Sequence, residues 1–206
     1  DPAVMVARKN KVVGTLVKGI ATLFSTWGIE HLDGTGSLLD SRTLRVLKKD
    51  GSDTRVTADA LVIATGSSWP NLPLFPIDGR QIITSKQALD LARIPSNLLI
   101  IGGGVEGCEF ASLYSGLGTA VTIVELLPRL LPLEDEEIGR FMERELKKRG
   151  VDIRTGTTVE KVECREKTVD SILKDGSTIT ADQLLVSVGR GFNSRGIGLE
   201  NAGVLV

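Results

Sequence analysis

Apolar positions along this chain follow two different periods, and each change of period marks an element. Between Met5 and Phe24 the residues Met5, Val13, Leu16, Val17, Ile20 and Phe24 recur mostly at three- and four-residue steps, with Lys9, Lys11 and Lys18 elsewhere on the surface. That spacing predicts an amphipathic helix of about five turns. Gly28 and the Asp33-Gly34-Thr35-Gly36 cluster break it. The pattern then shortens to β type around Thr43 to Leu47, Arg55 to Val56 and Ala60 to Ile63, with Asp50-Gly51 as a hairpin signal between them. Pro70, Pro73 and Pro76 interrupt the stretch that follows, which reads as a domain boundary or crossover segment before a short helix near Ser85 to Ala92.

The second half repeats strand and helix in turn. Leu98 to Ile101 is an apolar run of the buried-strand type; an amphipathic helix opens after it, and Thr119 to Glu125 is a second, β-branched strand. Glu134 to Arg149 reads as another helix whose charges suit its dipole, with Glu134, Asp135, Glu136 and Glu137 in the first turn and Lys147, Lys148 and Arg149 in the last. Val151 to Arg154 is predicted as a third parallel strand. Thr158 to Cys164, Thr168 to Leu173 and Ser177 to Thr180 follow as a meander with an Asp175-Gly176 turn, and the run from Gln183 to Val188 returns as a buried strand. The order predicts an α/β fold of Rossmann type, a parallel sheet plus an antiparallel β-meander. Ala60 to Gly66 and Gln183 to Gly189 echo one another, each an apolar strand ending in glycine after a meander, as two related units would.

The chemistry concentrates at the first strand-to-helix turn, where Gly102, Gly104 and Gly107 form a GxGxxG pattern. Gly102 permits a tight turn out of the strand, Gly104 lets a pyrophosphate approach the backbone, and Gly107 lets the helix lie on the sheet. The unpaired N–H groups and positive dipole end of the helix point at the same anion. Glu125 ends the second strand, where a carboxylate accepts from the hydroxyls of an adenosine ribose. A 2′-phosphate there would meet a like charge costing roughly 4 kcal/mol at about 4 Å, so NAD(H) is expected over NADP(H). Arg129 weakens that expectation if it folds back on Glu125, and a solvated strand-end acid is the plainer alternative for Glu125.

Composition narrows the remaining classes. The chain has 206 residues, 41% hydrophobic and 25% charged, with a net charge of −1. It carries no electrostatic footprint for nucleic acid or an anionic membrane. No apolar run approaches a membrane span and no signal-peptide pattern is present, so a cytoplasmic location is expected, or the mitochondrial matrix in a eukaryote. Cys108 and Cys164, the two cysteines, have no metal-ligand spacing. Cys108 lies in the first turn of the phosphate-facing helix, either packed and inert or activated by the dipole. His31, the one histidine, sits in a turn-like stretch and is given no catalytic role.

The Ala64-Thr65-Gly66-Ser67 element, the Gly102 to Ala111 element, Val121 to Glu125 with the Leu-Pro-Arg-Leu-Leu-Pro run behind it, and Gly189-Arg190 followed by Gly198 to Val204 occur in one order. Together they resemble the flavin-dependent pyridine nucleotide:disulfide oxidoreductases, most closely the branch that oxidises dihydrolipoamide. The resemblance implies NAD at Gly102, Gly103, Gly104, Gly107, Glu125, Val159 and Gly189, with Glu109 beside the nicotinamide. It implies FAD contacts at Gly36, Thr65, Gly66 and Ser67, and no metal. It divides the chain into a partial FAD-binding domain over 1–72, a complete NAD-binding domain over 73–190, and the start of a return segment over 191–206. Glu106 departs from the family's usual apolar residue, and Gly191-Phe192-Asn193 departs from its usual Arg-Pro-Asn.

The FAD-binding βαβ unit, redox cysteine pair and His-Glu acid/base pair of the family have no counterpart in this sequence, which reads as an internal fragment, inactive alone, with no catalytic residue of its own. For the intact protein the resemblance implies a homodimer acting on dihydrolipoamide carried by lipoyl domains of 2-oxo acid dehydrogenase complexes. A mercuric or glutathione-type reductase, and an NAD-sensing module without enzymatic activity, are the alternatives.

Overall fold

The computed structural model describes residues 1–90 and 92–205. Helix α1 (Pro2–Thr26) is followed by strands β1 (Thr35–Leu38), β2 (Thr43–Leu47), β3 (Asp53–Thr57), β4 (Ser67–Ser68) and β5 (Ile82–Ile83), then by the single turn α2 (Ser85–Ala88). Next come β6 (Asn97–Ile101), α3 (Val105–Gly116), β7 (Ala120–Glu125), α4 (Glu136–Lys148) and β8 (Asp152–Thr155). Strands β9 (Val159–Cys164), β10 (Val169–Leu173), β11 (Thr178–Ala181), β12 (Gln183–Val186) and β13 (Gly191–Phe192) complete the order before a 3-10 turn at Leu199–Ala202. Two compact units result: Asp1–Lys9 with Trp69–Gly189, and Asn10–Ser68 with the segment from Arg190 onward.

The larger unit is built on a five-stranded sheet in the order β5-β12-β6-β7-β8, parallel at every pairing. Its strands alternate between two buried faces. Leu98 and Ile100 of β6, Val121 and Ile123 of β7, and Leu185 of β12 pack with Cys108, Phe110, Ala111 and Tyr114 of α3 and Leu146 of α4. Leu99, Ile101, Val124, Leu184 and Val186 pack on the opposite face with Val159, Val169, Leu173 and Ala181 of the antiparallel meander β9-β10-β11. A sheet covered on both faces needs apolar residues at consecutive positions, which explains the uninterrupted run in β6. The α/β class, the parallel sheet and the added meander agree with the sequence pattern.

The smaller unit holds the antiparallel sheet β1-β2-β3 and the short pair β4-β13. Asp50 Oδ1 accepts from the Ser52 N–H at 2.9 Å, closing the β2-β3 turn at Asp50-Gly51 where the hairpin was expected. Asn201 donates its side-chain amide to the Leu38 carbonyl at 2.8 Å and so ties the 3-10 turn to β1.

Several elements depart from the pattern. The segment from Ala60 to Ile63 is not a strand: no described strand runs beside it to supply a hydrogen-bond ladder, and Val62 is 90% exposed. β1 forms within the glycine cluster that breaks the helical pattern, because β2 offers it a full antiparallel register. β5 is two residues long, too short to show a period, and forms because β12 lies alongside it. Helix α2 stops at Ala88, short of Ala92; Leu91 of that expected span lies outside the described residues. α1 is longer than predicted and buries none of its side chains. No helix among the described residues is long and apolar enough to cross a membrane.

Candidate dinucleotide-binding site

The glycine turn lies at the carboxyl end of β6, central in the sheet. Gly102 adopts φ +106°, a conformation that side chains rarely tolerate, and a Cβ there would stand 2.1 Å from the Ser187 carbonyl oxygen at the end of β12. A Cβ on Gly107 would stand 2.0 Å from the Gly102 carbonyl oxygen and 3.4 Å from the Ile100 side chain, so its absence lets α3 press onto the strand it leaves. At Gly104 a Cβ would meet nothing within 4 Å. The three glycines thus divide into two that close the turn and one that leaves space in front of it. Gly104 is also the N-cap of α3, and no side chain caps that end. The first N–H groups of the helix therefore point into the space with the positive end of its dipole behind them.

Glu125 is tied into this turn. The residue is 7% exposed; Oε2 accepts from the Gly103 N–H at 2.6 Å and Oε1 from the Leu127 N–H at 2.7 Å. Each oxygen retains a second lone pair for a further donor. The plainer alternative of a solvated strand-end acid is set aside by this burial and pairing. The loop behind Glu125 is closed by Leu131, whose N–H donates to the Gly103 carbonyl at 2.8 Å and whose own φ is +48°. Arg129 does not fold back on Glu125. Its guanidinium donates to the carbonyls of Leu131, Pro132 and Glu134 at 3.0, 2.8 and 2.9 Å.

Other residues singled out in the sequence take less central places. Val159 is buried at the start of β9, and Gly189 is exposed beyond the end of β12. Glu109 is exposed on α3, bordering a groove of about 790 Å³ formed with Phe141, Met142 and Arg149 of the α4 side. Cys108 is buried beneath the turn, its thiol pushed up to about 11 by burial and then by the Glu125 and Glu109 charges. It is the packed, inert thiol of the two alternatives. Glu106, in the first turn of α3, accepts from the Ser187 hydroxyl at 3.2 Å. Ser187 carries no signal in isolation, and only the adjacency of β12 to β6 shows that it belongs to the site.

Gly36, Thr65, Gly66 and Ser67 belong to the smaller unit. Thr65 donates its hydroxyl to the Asn193 carbonyl at 2.8 Å, and Asn193 returns a bond to the Thr65 carbonyl at 3.1 Å. Ser67 Oγ accepts from Arg190 at 2.7 Å. These hydroxyls brace the β4-β13 pair, while Gly36 faces open space. Contacts to a flavin from this turn would fall chiefly to the backbone. His31 is exposed, and its ring meets that of Phe24 at a centroid distance of 6.2 Å. Among the described residues no group of His, Cys, Asp and Glu is placed to hold a metal.

A parallel sheet with an uncapped helix mouth at its centre and an acid on the neighbouring strand is the architecture of the Rossmann-type α/β class. The profile of the pyridine nucleotide-disulphide oxidoreductases matches residues 3–206, and the chain belongs to that family. It is 42% identical over 207 residues to a dihydrolipoyl dehydrogenase of Bacillus subtilis, covering 99% of this chain and 44% of that protein. It is also 42% identical over 205 residues to the dihydrolipoamide dehydrogenase of Chaetomium thermophilum, covering 95% of this chain and 40% of that one. The crystal structure of LpdA from Mycobacterium tuberculosis superposes with a TM-score of 0.90 at 30% identity, over 99% of this chain and 46% of that one. The HOCl-induced flavoprotein disulfide reductase RclA from Escherichia coli, solved as a Cu(II) complex, gives 0.84 at 30% identity, over 98% and 46%. The chain therefore spans less than half the length of these relatives.

Proposed function

We propose that this chain is the NAD-binding portion of a flavoprotein disulfide oxidoreductase of the dihydrolipoamide dehydrogenase kind. The observation that carries the reading is Glu125 locked to the Gly103 N–H beside an uncapped helix with open space at Gly104. Bound there, NAD supplies a ring that accepts or gives up a hydride; the protein binds and orients it. The N–H groups at the mouth of α3 hold the pyrophosphate against Gly103 and Gly104. Glu125 accepts from the ribose hydroxyls with its remaining lone pairs, each charge-assisted bond contributing on the order of 1.5–3 kcal/mol. Gly102 and Gly107 hold the cradle in shape; the NAD roles of Val159, Gly189 and Glu109 rest on the family resemblance, since Val159 is buried in the meander and Glu109 borders the α3–α4 groove. Arg129 is engaged by three carbonyls and not by Glu125, which supports NAD over NADP.

The same reading gives the NAD domain residues 73–190, with Gly36, Thr65, Gly66 and Ser67 of the 1–72 segment touching FAD and 191–206 beginning the return. The separation of contacts near residues 68 and 190 supports these two boundaries, although Asp1–Lys9 falls with the larger unit. In the whole protein, dihydrolipoamide borne on lipoyl domains of 2-oxo acid dehydrogenase complexes would be oxidised through a redox disulfide and FAD with reduction of NAD+, in a homodimer. The names of the Bacillus subtilis and Chaetomium thermophilum relatives support that activity. Titration calorimetry with NADH and NADPH tests the core of the proposal. NADH is expected to bind at least tenfold more tightly, and absence of NADH binding, or equal affinities, would overturn it.

A further inference from the structure

One charged group at the helix mouth is turned toward β12, away from the strand that carries Glu125. Glu106 occupies the first turn of α3, beside the Gly104 cradle, where a carboxylate repels a pyrophosphate. Its side chain reaches across to β12, Oε2 accepting from the Ser187 hydroxyl at 3.2 Å. Ser187 is 6% exposed, and its N–H donates to the Ile101 carbonyl at 2.8 Å, so the hydroxyl is fixed at the carboxyl end of the strand next to β6. Glu125 and β7 lie on the other side of β6. The chain passes from β6 through α3 to β7 on one side and reaches β12 on the other only after the meander. The gap between the carboxyl ends of β6 and β12 is thus the switch point of the sheet, where α/β proteins receive their ligands. A dinucleotide with its ribose on Glu125 and its pyrophosphate at Gly104 carries its second half into that gap. The Glu106–Ser187 pair stands across it.

We infer that Glu106, positioned by Ser187, sets the preference of the site between the two redox states of the dinucleotide, favouring the oxidised form. The inference rests on the NAD assignment above. The oxidised nicotinamide ring is a cation and the reduced ring is neutral, whereas adenosine, ribose and pyrophosphate are common to both. A carboxylate acting on the shared parts changes both affinities by one factor; only a carboxylate near the ring changes their ratio. A charge pair within about 6 Å, partly screened by water, supports a ratio of about tenfold.

Calorimetric titrations of the wild-type chain, Glu106→Gln and Ser187→Ala with NAD+, NADH and ADP-ribose test this. Glu106→Gln is expected to lower the NAD+ to NADH affinity ratio about tenfold, equivalent to about 1.4 kcal/mol. Ser187→Ala is expected to lower it by a smaller factor in the same direction, and ADP-ribose is expected to follow NADH. An unchanged ratio in both variants overturns the inference, as does a uniform tightening of all three ligands, which would assign Glu106 to the pyrophosphate. Failure of the wild-type chain to bind any of the three overturns the nucleotide assignment itself.

Discussion

Gly104 and Gly107 stand in one motif and meet opposite demands. A Cβ at Gly104 has nothing within 4 Å, while one at Gly107 would lie 2.0 Å from the Gly102 carbonyl. Gly104→Ala is therefore expected to leave the thermal midpoint nearly unchanged, with a cost under about 1 kcal/mol, and to weaken NADH binding at least tenfold by filling the pyrophosphate space. Gly107→Ala is expected to do the reverse first, costing about 1–3 kcal/mol as α3 is forced off β6. Differential scanning calorimetry beside a binding titration separates the two. The GxGxxG spacing identified both glycines in the sequence, because each needs its neighbour at a fixed number of residues. It was silent about Ser187, whose nearness to Gly102 is created only when β12 takes its place in the sheet.

At the scale of elements, α3 buries two acidic protons. The Cys108 thiol is raised from its ordinary 9.0 to about 11 and the Tyr114 phenol from 10.0 to about 12, both chiefly by burial. Above the ordinary values the unfolded chain releases these protons while the folded chain keeps them, so stability is retained below about pH 9 and falls as pH rises through 9–11 and 10–12. The Cys108 share amounts to up to about 2–3 kcal/mol. Urea midpoints compared at pH 8 and pH 10.5 are expected to show the decline, and Cys108→Ala to make it shallower; a pH-independent midpoint would contradict the buried thiol. On α4, Gly139 would be replaced by alanine with a gain of about 1 kcal/mol if helix propensity decided the matter. A Cβ there would instead stand 2.6 Å from the Leu130 carbonyl oxygen. Gly139→Ala is accordingly expected to destabilise, as a lowered melting temperature. Helices α3 and α4 and strands β6 to β12 were legible because each carries enough residues to establish a period or is bounded by glycines. β1 and β5 were not, since both exist through the strand beside them, and the residues from Ala60 to Ile63 show the converse case, a strand-like pattern with no described neighbour to pair with.

For the molecule as a whole, the division into two units predicts where a ligand is felt. On addition of NADH, amide hydrogen exchange is expected to slow at residues 102–107, 125–131 and 187–189 of the larger unit, with the sheet β1-β2-β3 unaffected. At about 100 times Kd the ligand would add about 2.7 kcal/mol to the stability of the unit that binds it. Protection spread evenly over both units would contradict a site confined to one. One bond joins these scales. The Glu125 carboxylate anchors the Gly103 amide, so if it also holds the sugar as proposed, cosubstrate choice in this scaffold is not a detachable trait. Exchanging that acid for arginine to welcome a phosphorylated sugar removes a strut from the turn it was meant to retune, so any lineage or engineer that converts such a protein to NADPH must rebuild the loop in the same step.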